Sequence, residues 1–181
     1  ETPAGDAIVN FLGVPLGYPS AVVNRIAPSG SSRLQTGQSS WAGIIQRELQ
    51  KPGLLNLTIE NSFESANNQL RTTIFITPTQ DISADLRLSV MVVETNIRST
   101  QLTPDGKQDD YLHRHNLRAM LTNPTGIALS TALTEGATIE EGFTFDIPTD
   151  WKTPDVSIVA FVHRGDESKE VLQVEEVKIA E

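Results

Sequence analysis

The chain has 181 residues, enough for one domain, or one and part of a second, with a substantial core. Its formal net charge is −9, and its Lys and Arg residues are scattered without interleaved aromatics, which argues against a nucleic-acid partner. There is no cysteine, so a disulfide framework, a thiolate zinc site and a Cys nucleophile are excluded within these residues.

Taken in order, the chain first offers a short, weakly helical segment from Asp6 to Phe11, ending at Gly13. The stretch Gly17-Tyr18-Pro19-Ser20-Ala21-Val22-Val23-Asn24-Arg25 reads as a turn followed by a short apolar strand. From Ala27 to Gln38 the chain is rich in Gly, Ser and Pro and predicts a loop or a weak hairpin. A helix follows over about Ser40 to Gln50, with Ser39 or Ser40 as N-cap and an apolar stripe of Trp41, Ile44, Ile45 and Leu49. Pro52-Gly53 stops it. One helix and one strand cannot bury their own apolar faces, so this region belongs to something larger.

From Leu54 the pattern changes to period two. Leu55, Leu57 and Ile59 alternate with Asn56, Thr58 and Glu60. Further strand-like runs lie at Leu70 to Thr77, Asp85 to Thr95, Tyr111 to Leu121, Gly142 to Ile147, Val156 to His163 and Glu170 to Ile179, with a weaker one around Ile127 to Leu133. Such a series predicts an eight-stranded antiparallel Ig-like β-sandwich. Val156 to Val162 is apolar on both faces, as a central strand should be. The last strand breaks its alternation at Glu175-Glu176, which predicts a bulge or an edge position.

Three constellations suggest chemistry. His113 and His115, on one strand, would share a face about 7 Å apart and could hold a metal ion. The same face continues with Leu117, Ala119 and Leu121, so two histidines hydrogen-bonded at the margin of a core is the commoner outcome. Thr103-Pro104-Asp105-Gly106-Lys107-Gln108-Asp109-Asp110 gathers oxygen ligands, but it lacks the spacing of an EF-hand loop, and Pro-Asp-Gly makes a β-turn in its own right. Glu140-Glu141 and Glu175-Glu176 are neighbours on extended chain and face opposite ways, so neither pair is an acid/base couple. No nucleophile elbow, phosphate-cradling glycine loop or His-Glu-x-x-His helix occurs. Trp151, after the Ile147-Pro148-Thr149-Asp150 turn, reads as a packing residue at one end of the sandwich, with a binding role open to it if partly exposed.

Four stretches carry a family resemblance. Gly13 to Arg25, with Pro19 at the cis-proline position, looks like part of a thioredoxin fold. Tyr111-Leu112-His113-Arg114-His115-Asn116-Leu117-Arg118, Phe161-Val162 and the closing Lys169 to Lys178 are similar to segments of the 28-kilodalton outer-membrane protein family of Bacteroidetes, the Omp28-related lipoproteins. The resemblance implies a thioredoxin-like part whose Cys-x-x-Cys segment would lie upstream of Glu1, a C-terminal β-sandwich, a cell-envelope location and a lipid anchor upstream of Glu1. The expectation is then a remnant of a thioredoxin-like domain at 1–53 and a sandwich at 54–181. Its function would be non-catalytic binding or adhesion, without a cofactor, toward a protein or glycan. The loops from Thr103 to Tyr111 and Asp146 to Trp151 are the first candidates, with Asp105, Asp109, Asp110, Tyr111 and Trp151 as contacts. The alternative is a spacer or substrate-presenting domain of a thiol-redox or thiol-chaperone protein.

Overall fold

The computed structural model describes residues 2–129 and 132–180. It is mainly β, with several antiparallel sheets and two short helices.

Helix α1 (Pro3–Leu12) is longer than the sequence suggested, because its start signals precede Asp6. The Thr2 hydroxyl accepts a hydrogen bond from the Gly5 amide, and Pro3 fills the first helical turn, where its missing N–H costs nothing. Strands β1 (Ser20–Val22) and β2 (Gln35–Gly37) form a small antiparallel pair. Helix α2 (Gln38–Glu48) has Gly37 as its N-cap, which offers no side-chain cap. Ser39 and Ser40 therefore lie inside the helix rather than at its cap. Of the expected stripe only Ile44 is fully buried; Trp41 is half-buried and donates to the Thr36 carbonyl, while Ile45 and Leu49 stay exposed.

Strands β3 (Leu55–Glu64) and β4 (Gln69–Pro78) form a hairpin, followed by β5 (Ile82–Ser83) and β6 (Leu86–Glu94). Then come β7 (Ile97–Thr103), β8 (Gly106–His113), β9 (Asn116–Met120), β10 (Ile127–Ala128) and β11 (Ala132–Leu133). Strand β12 (Ile139–Asp146), a 3₁₀ turn at Thr153–Asp155, β13 (Val156–Arg164) and β14 (Val171–Lys178) complete the chain.

Two larger sheets result. One has three strands in the order β12-β4-β3; the other runs β10-β6-β13-β14, with β9 also pairing β6. Register aligns their inward side chains. Leu57 faces Ile76 and Ile59 faces Ile74 in the first sheet; Val92 faces Ile158 and Val90 faces Ala160 in the second. All eight belong to one buried apolar cluster. Each fully buried aliphatic side chain there contributes about 1.5–3 kcal/mol, so the alternation seen in the sequence is the main cohesive force of this region.

The sheets also meet where β14 approaches β3. The Gln173 amide donates to the Leu55 carbonyl at 3.2 Å, and the Asn61 amide donates to the Lys178 carbonyl at 3.1 Å. These side chains occupy backbone groups that an open strand would leave as a template for aggregation. Strand β14 is an edge, as one of the two expected readings had it. The expected bulge at Glu175-Glu176 is absent: both pair in register with Ala160 and Val159, and the irregularity falls at Val162/His163.

The other face of the five-stranded sheet carries Phe161 and His163, and residues of the first segment cover it. The Arg25 guanidinium lies 4.8 Å from the Phe161 ring centroid and 5.5 Å from that of Phe11. Lys169 Nζ donates to the Phe11 carbonyl, and the Val171 amide donates to the Asn24 carbonyl at 2.9 Å.

Candidate functional site

Strands β7 and β8 form a ribbon that pairs with no other strand among the described residues. Every residue from Arg98 to Leu102 and from Lys107 to Tyr111 is exposed. The tip is the turn Thr103-Pro104-Asp105-Gly106, closed by the Thr103 hydroxyl on the Gly106 carbonyl at 2.9 Å, with Gly106 at a φ of 108° that favours glycine. Asp105 sits at this tip. Between Ser99 and Gln101 the register slips so that β8 carries the extra residue, a bulge around Asp109 and Asp110. Asp110 pairs with Arg98 and Asp109 with Lys107, both in solvent. Such exposed pairs add about 0–1 kcal/mol each and leave the carboxylates available to a ligand.

The histidine expectation needs correction. Tyr111 to Leu121 is not one strand, because β8 ends at His113 and His115 adopts a φ of 52° before β9 begins. The two imidazoles consequently have different neighbours. His113 packs edge-on against Tyr111 with ring centroids 4.9 Å apart, whereas His115 Nε2 stands 3.5 Å from a carboxylate oxygen of Glu176. Among the described residues no group of three His, Asp or Glu side chains is arranged to hold a metal ion.

At the root of the ribbon the structure gathers residues that the sequence did not single out. Glu94 ends β6 and is only 4 % exposed. One carboxylate oxygen accepts from the Lys152 amide at 3.1 Å, and the other stands 2.9 Å from Arg118 Nη1 on β9. The Arg118 guanidinium covers the Trp151 ring at 4.5 Å, and Trp151 in turn packs on Phe145. The Asn96 amide donates to the Asp155 carboxylate at 2.7 Å, and the Thr95 amide donates to the Asp155 carbonyl at 2.9 Å. Trp151 thus belongs to the packed root, while Asp105, Asp109, Asp110 and Tyr111 lie along the exposed ribbon. The only local clue to this cluster was an acid closing the apolar run Val90 to Val93.

Pro19 follows a cis peptide bond to Tyr18, beside exposed Val14 and Leu16. A groove of about 380 Å³ lies between the end of α2 and β14, with Ile45, Leu49, Leu54 and Val174 on its apolar wall and Lys51 and Glu170 at its rim. No described helix is long and apolar enough to cross a membrane.

A family model for outer membrane protein Omp28 matches residues 7–181. The chain belongs to that family. Its location is the bacterial cell envelope, at the outer membrane. Among solved structures the chain is similar to a domain of the outer membrane lipoprotein Omp28 from Porphyromonas gingivalis. The identity is 16%, covering 71% of this chain and 90% of that one, with a TM-score of 0.49. It is also similar to the E. coli curli protein CsgC, at 12% identity over 68% of this chain and 95% of that one, TM-score 0.32. A β-glucosidase from Listeria innocua matches at 14% identity over 68% of this chain and 16% of its own, TM-score 0.28. No curated protein matches significantly.

Proposed function

We propose that the chain is a non-catalytic binding module of a cell-envelope lipoprotein, which takes hold of a protein or glycan ligand through the β7–β8 ribbon. In this reading residues 54–181 are an Ig-like β-sandwich and residues 1–53 the remnant of a thioredoxin-like domain. A lipid attached upstream of Glu1 would tether the molecule to the membrane.

The observation that carries the proposal is the contrast between ribbon and root. At the root Glu94, Arg118 and Trp151 are locked together and Asp155 holds Thr95 and Asn96, whereas the ribbon exposes an amide on each strand and two acids and one aromatic on β8. A rigid base with an exposed polar-aromatic surface is the arrangement expected of a binding element. Glu140-Glu141 and Glu175-Glu176 sit in regular register and alternate faces, so neither pair forms an acid/base couple.

A glycan array and an array of envelope-derived peptides, probed with the wild-type chain, Asp109→Asn/Asp110→Asn and Tyr111→Ser, test the proposal. At least tenfold weaker binding in both variants is the expected result. Unchanged binding in both would remove the ribbon from the ligand site.

A further inference from the structure

The two edges of the ribbon differ. Strand β8 carries Lys107, Asp109 and Asp110 and a bulge, all of which discourage another strand from pairing with it. Other edges are guarded too: β12 carries Glu140 and Glu141, while β14 carries Glu176 and is bridged to β3 by Asn61. Strand β7 is guarded less: the Gln101 side-chain amide occupies the Leu102 carbonyl at 2.9 Å, but no carboxylate or Lys lies on the strand. The extra residue of the register slip between Ser99 and Gln101 lies on β8; β7 itself contains no Pro or Lys and presents Ser99, Thr100 and Gln101 at its centre. Its one charge, Arg98, is neutralised across the ribbon by Asp110. A two-stranded ribbon standing alone is marginally stable, so an added strand would strengthen it.

The sequence of β7 fits itself. Antiparallel pairing about a twofold axis through Thr100 sets Thr100 against Thr100, Ser99 against Gln101, Arg98 against Leu102 and Ile97 against Thr103. No like charges face each other, and facing threonines are a favourable cross-strand pair. Leu102, 76 % exposed on a polar ribbon, would lie against the aliphatic stem of the other copy's Arg98. Strands of seven residues span about 23 Å. That exceeds the Debye length of about 8 Å at physiological salt, so pairing through the ribbons keeps the two acidic bodies apart.

We infer that the free edge of β7 pairs with the same edge of a second copy of this chain, producing a four-stranded sheet β8-β7-β7-β8 across a twofold axis. One edge contact is small, so the dimer is weak and concentration-dependent, suited to chains crowded on one membrane. The inference does not rest on the ligand reading, because self-association needs no ligand.

The chain contains no cysteine, so Thr100→Cys introduces a single thiol. Directly opposed residues in an antiparallel pair have Cα atoms about 4.5–5.5 Å apart, within reach of a disulfide. In oxidised glutathione, Thr100→Cys is expected to cross-link at least tenfold faster than Gln108→Cys on the guarded strand. By sedimentation velocity the unmodified chain should show a concentration-dependent dimer. Ser99→Glu/Gln101→Glu, which opposes like charges at exposed positions, should abolish it, and Ser99→Glu/Gln101→Lys should restore it. A chain that stays monomeric at millimolar concentration overturns the inference, as does equal cross-linking at both positions or a dimer indifferent to the charge variants.

Discussion

Arg118 lies across the face of Trp151, with its guanidinium carbon 4.5 Å from the ring centroid and Nη1 2.9 Å from the buried carboxylate of Glu94. One side chain thereby ties β9, the end of β6 and the loop before β13. Removing the guanidinium takes away the partner of the buried Glu94 carboxyl group, a loss of up to about 3–5 kcal/mol. Arg118→Ala should fall in that range by urea denaturation. Arg118→Met/Glu94→Gln should lose clearly less, because no buried carboxyl group is left without its partner. Additive losses in the double-mutant cycle would contradict the coupling.

His163 is fully buried, and its two ring nitrogens have fixed roles. Nδ1 faces the Arg164 carbonyl at 2.9 Å and must donate, so Nε2, 3.1 Å from the Ser89 hydroxyl, accepts. Burial pushes the pKa from 6.5 down to about 4, with the Arg25 and Arg87 charges acting in the same direction. The folded state therefore prefers the neutral ring, and acid favours the unfolded chain. The associated stability is complete above pH 6.5 and is lost as pH falls from there through about 4, by roughly 3 kcal/mol at most. Urea denaturation between pH 7.5 and 4 should show this decline in the wild type and a flatter profile in His163→Gln. Parallel profiles would assign the acid sensitivity to other groups.

Arg25 is 6 % exposed, and its Nη1 has no hydrogen-bond partner among the described residues. Burial lowers its pKa to about 10, so the group remains charged near neutrality. Stacking on Phe161 and Phe11 is what offsets that burial, at about 2 kcal/mol or somewhat more for a desolvated cation. Arg25→Met keeps the volume and removes the desolvation cost, so its stability should stay within about 1 kcal/mol of wild type. Arg25→Ala should lose about 1–3 kcal/mol through the cavity left between the two rings. Equal losses in the two variants, measured by thermal denaturation, would show that the charge itself holds the first segment in place.

Gly126 and Gly136 both have left-handed backbones, with φ values of 78° and 72°, but only Gly126 is crowded. A Cβ on Gly126 would come 2.9 Å from the Leu88 carbonyl and 2.8 Å from His163 Nε2; one on Gly136 would meet open space. Gly136→Ala should therefore cost only the backbone term, about 1–2 kcal/mol. Gly126→Ala adds steric strain against a central strand and should cost about 1–3 kcal/mol more. A smaller fall in Tm for Gly126→Ala than for Gly136→Ala would contradict the packing described.

The parts of this molecule legible in its sequence are those where burial imposes a period. Leu55, Leu57 and Ile59 alternate because one face is buried, and Val156 to Val162 is apolar on both faces because β13 lies between β6 and β14 beneath the first segment. Strand β7 was invisible for the opposite reason: with both faces in water, Arg98 to Leu102 carry no periodicity at all. The break between β8 and β9 leaves no local signal, because His115, without a neighbouring Gly or Pro, takes up the left-handed backbone. The Arg25–Phe161 and Glu94–Arg118 pairs join residues far apart in the chain, and no local pattern announces them.

The ribbon as ligand-binding element is the central claim, and excising it tests that claim most directly. Ile97 and His113 are paired across its base, so a two-residue Asn-Gly turn can replace residues 98–112 without straining the ends. Binding and thermal unfolding of this variant should be measured beside the wild type, on the ligand selected by the arrays. The account predicts a Tm within about 4 °C of wild type, since the ribbon adds nothing to the buried cluster, together with complete loss of binding. Wild-type affinity in the excised chain would contradict it.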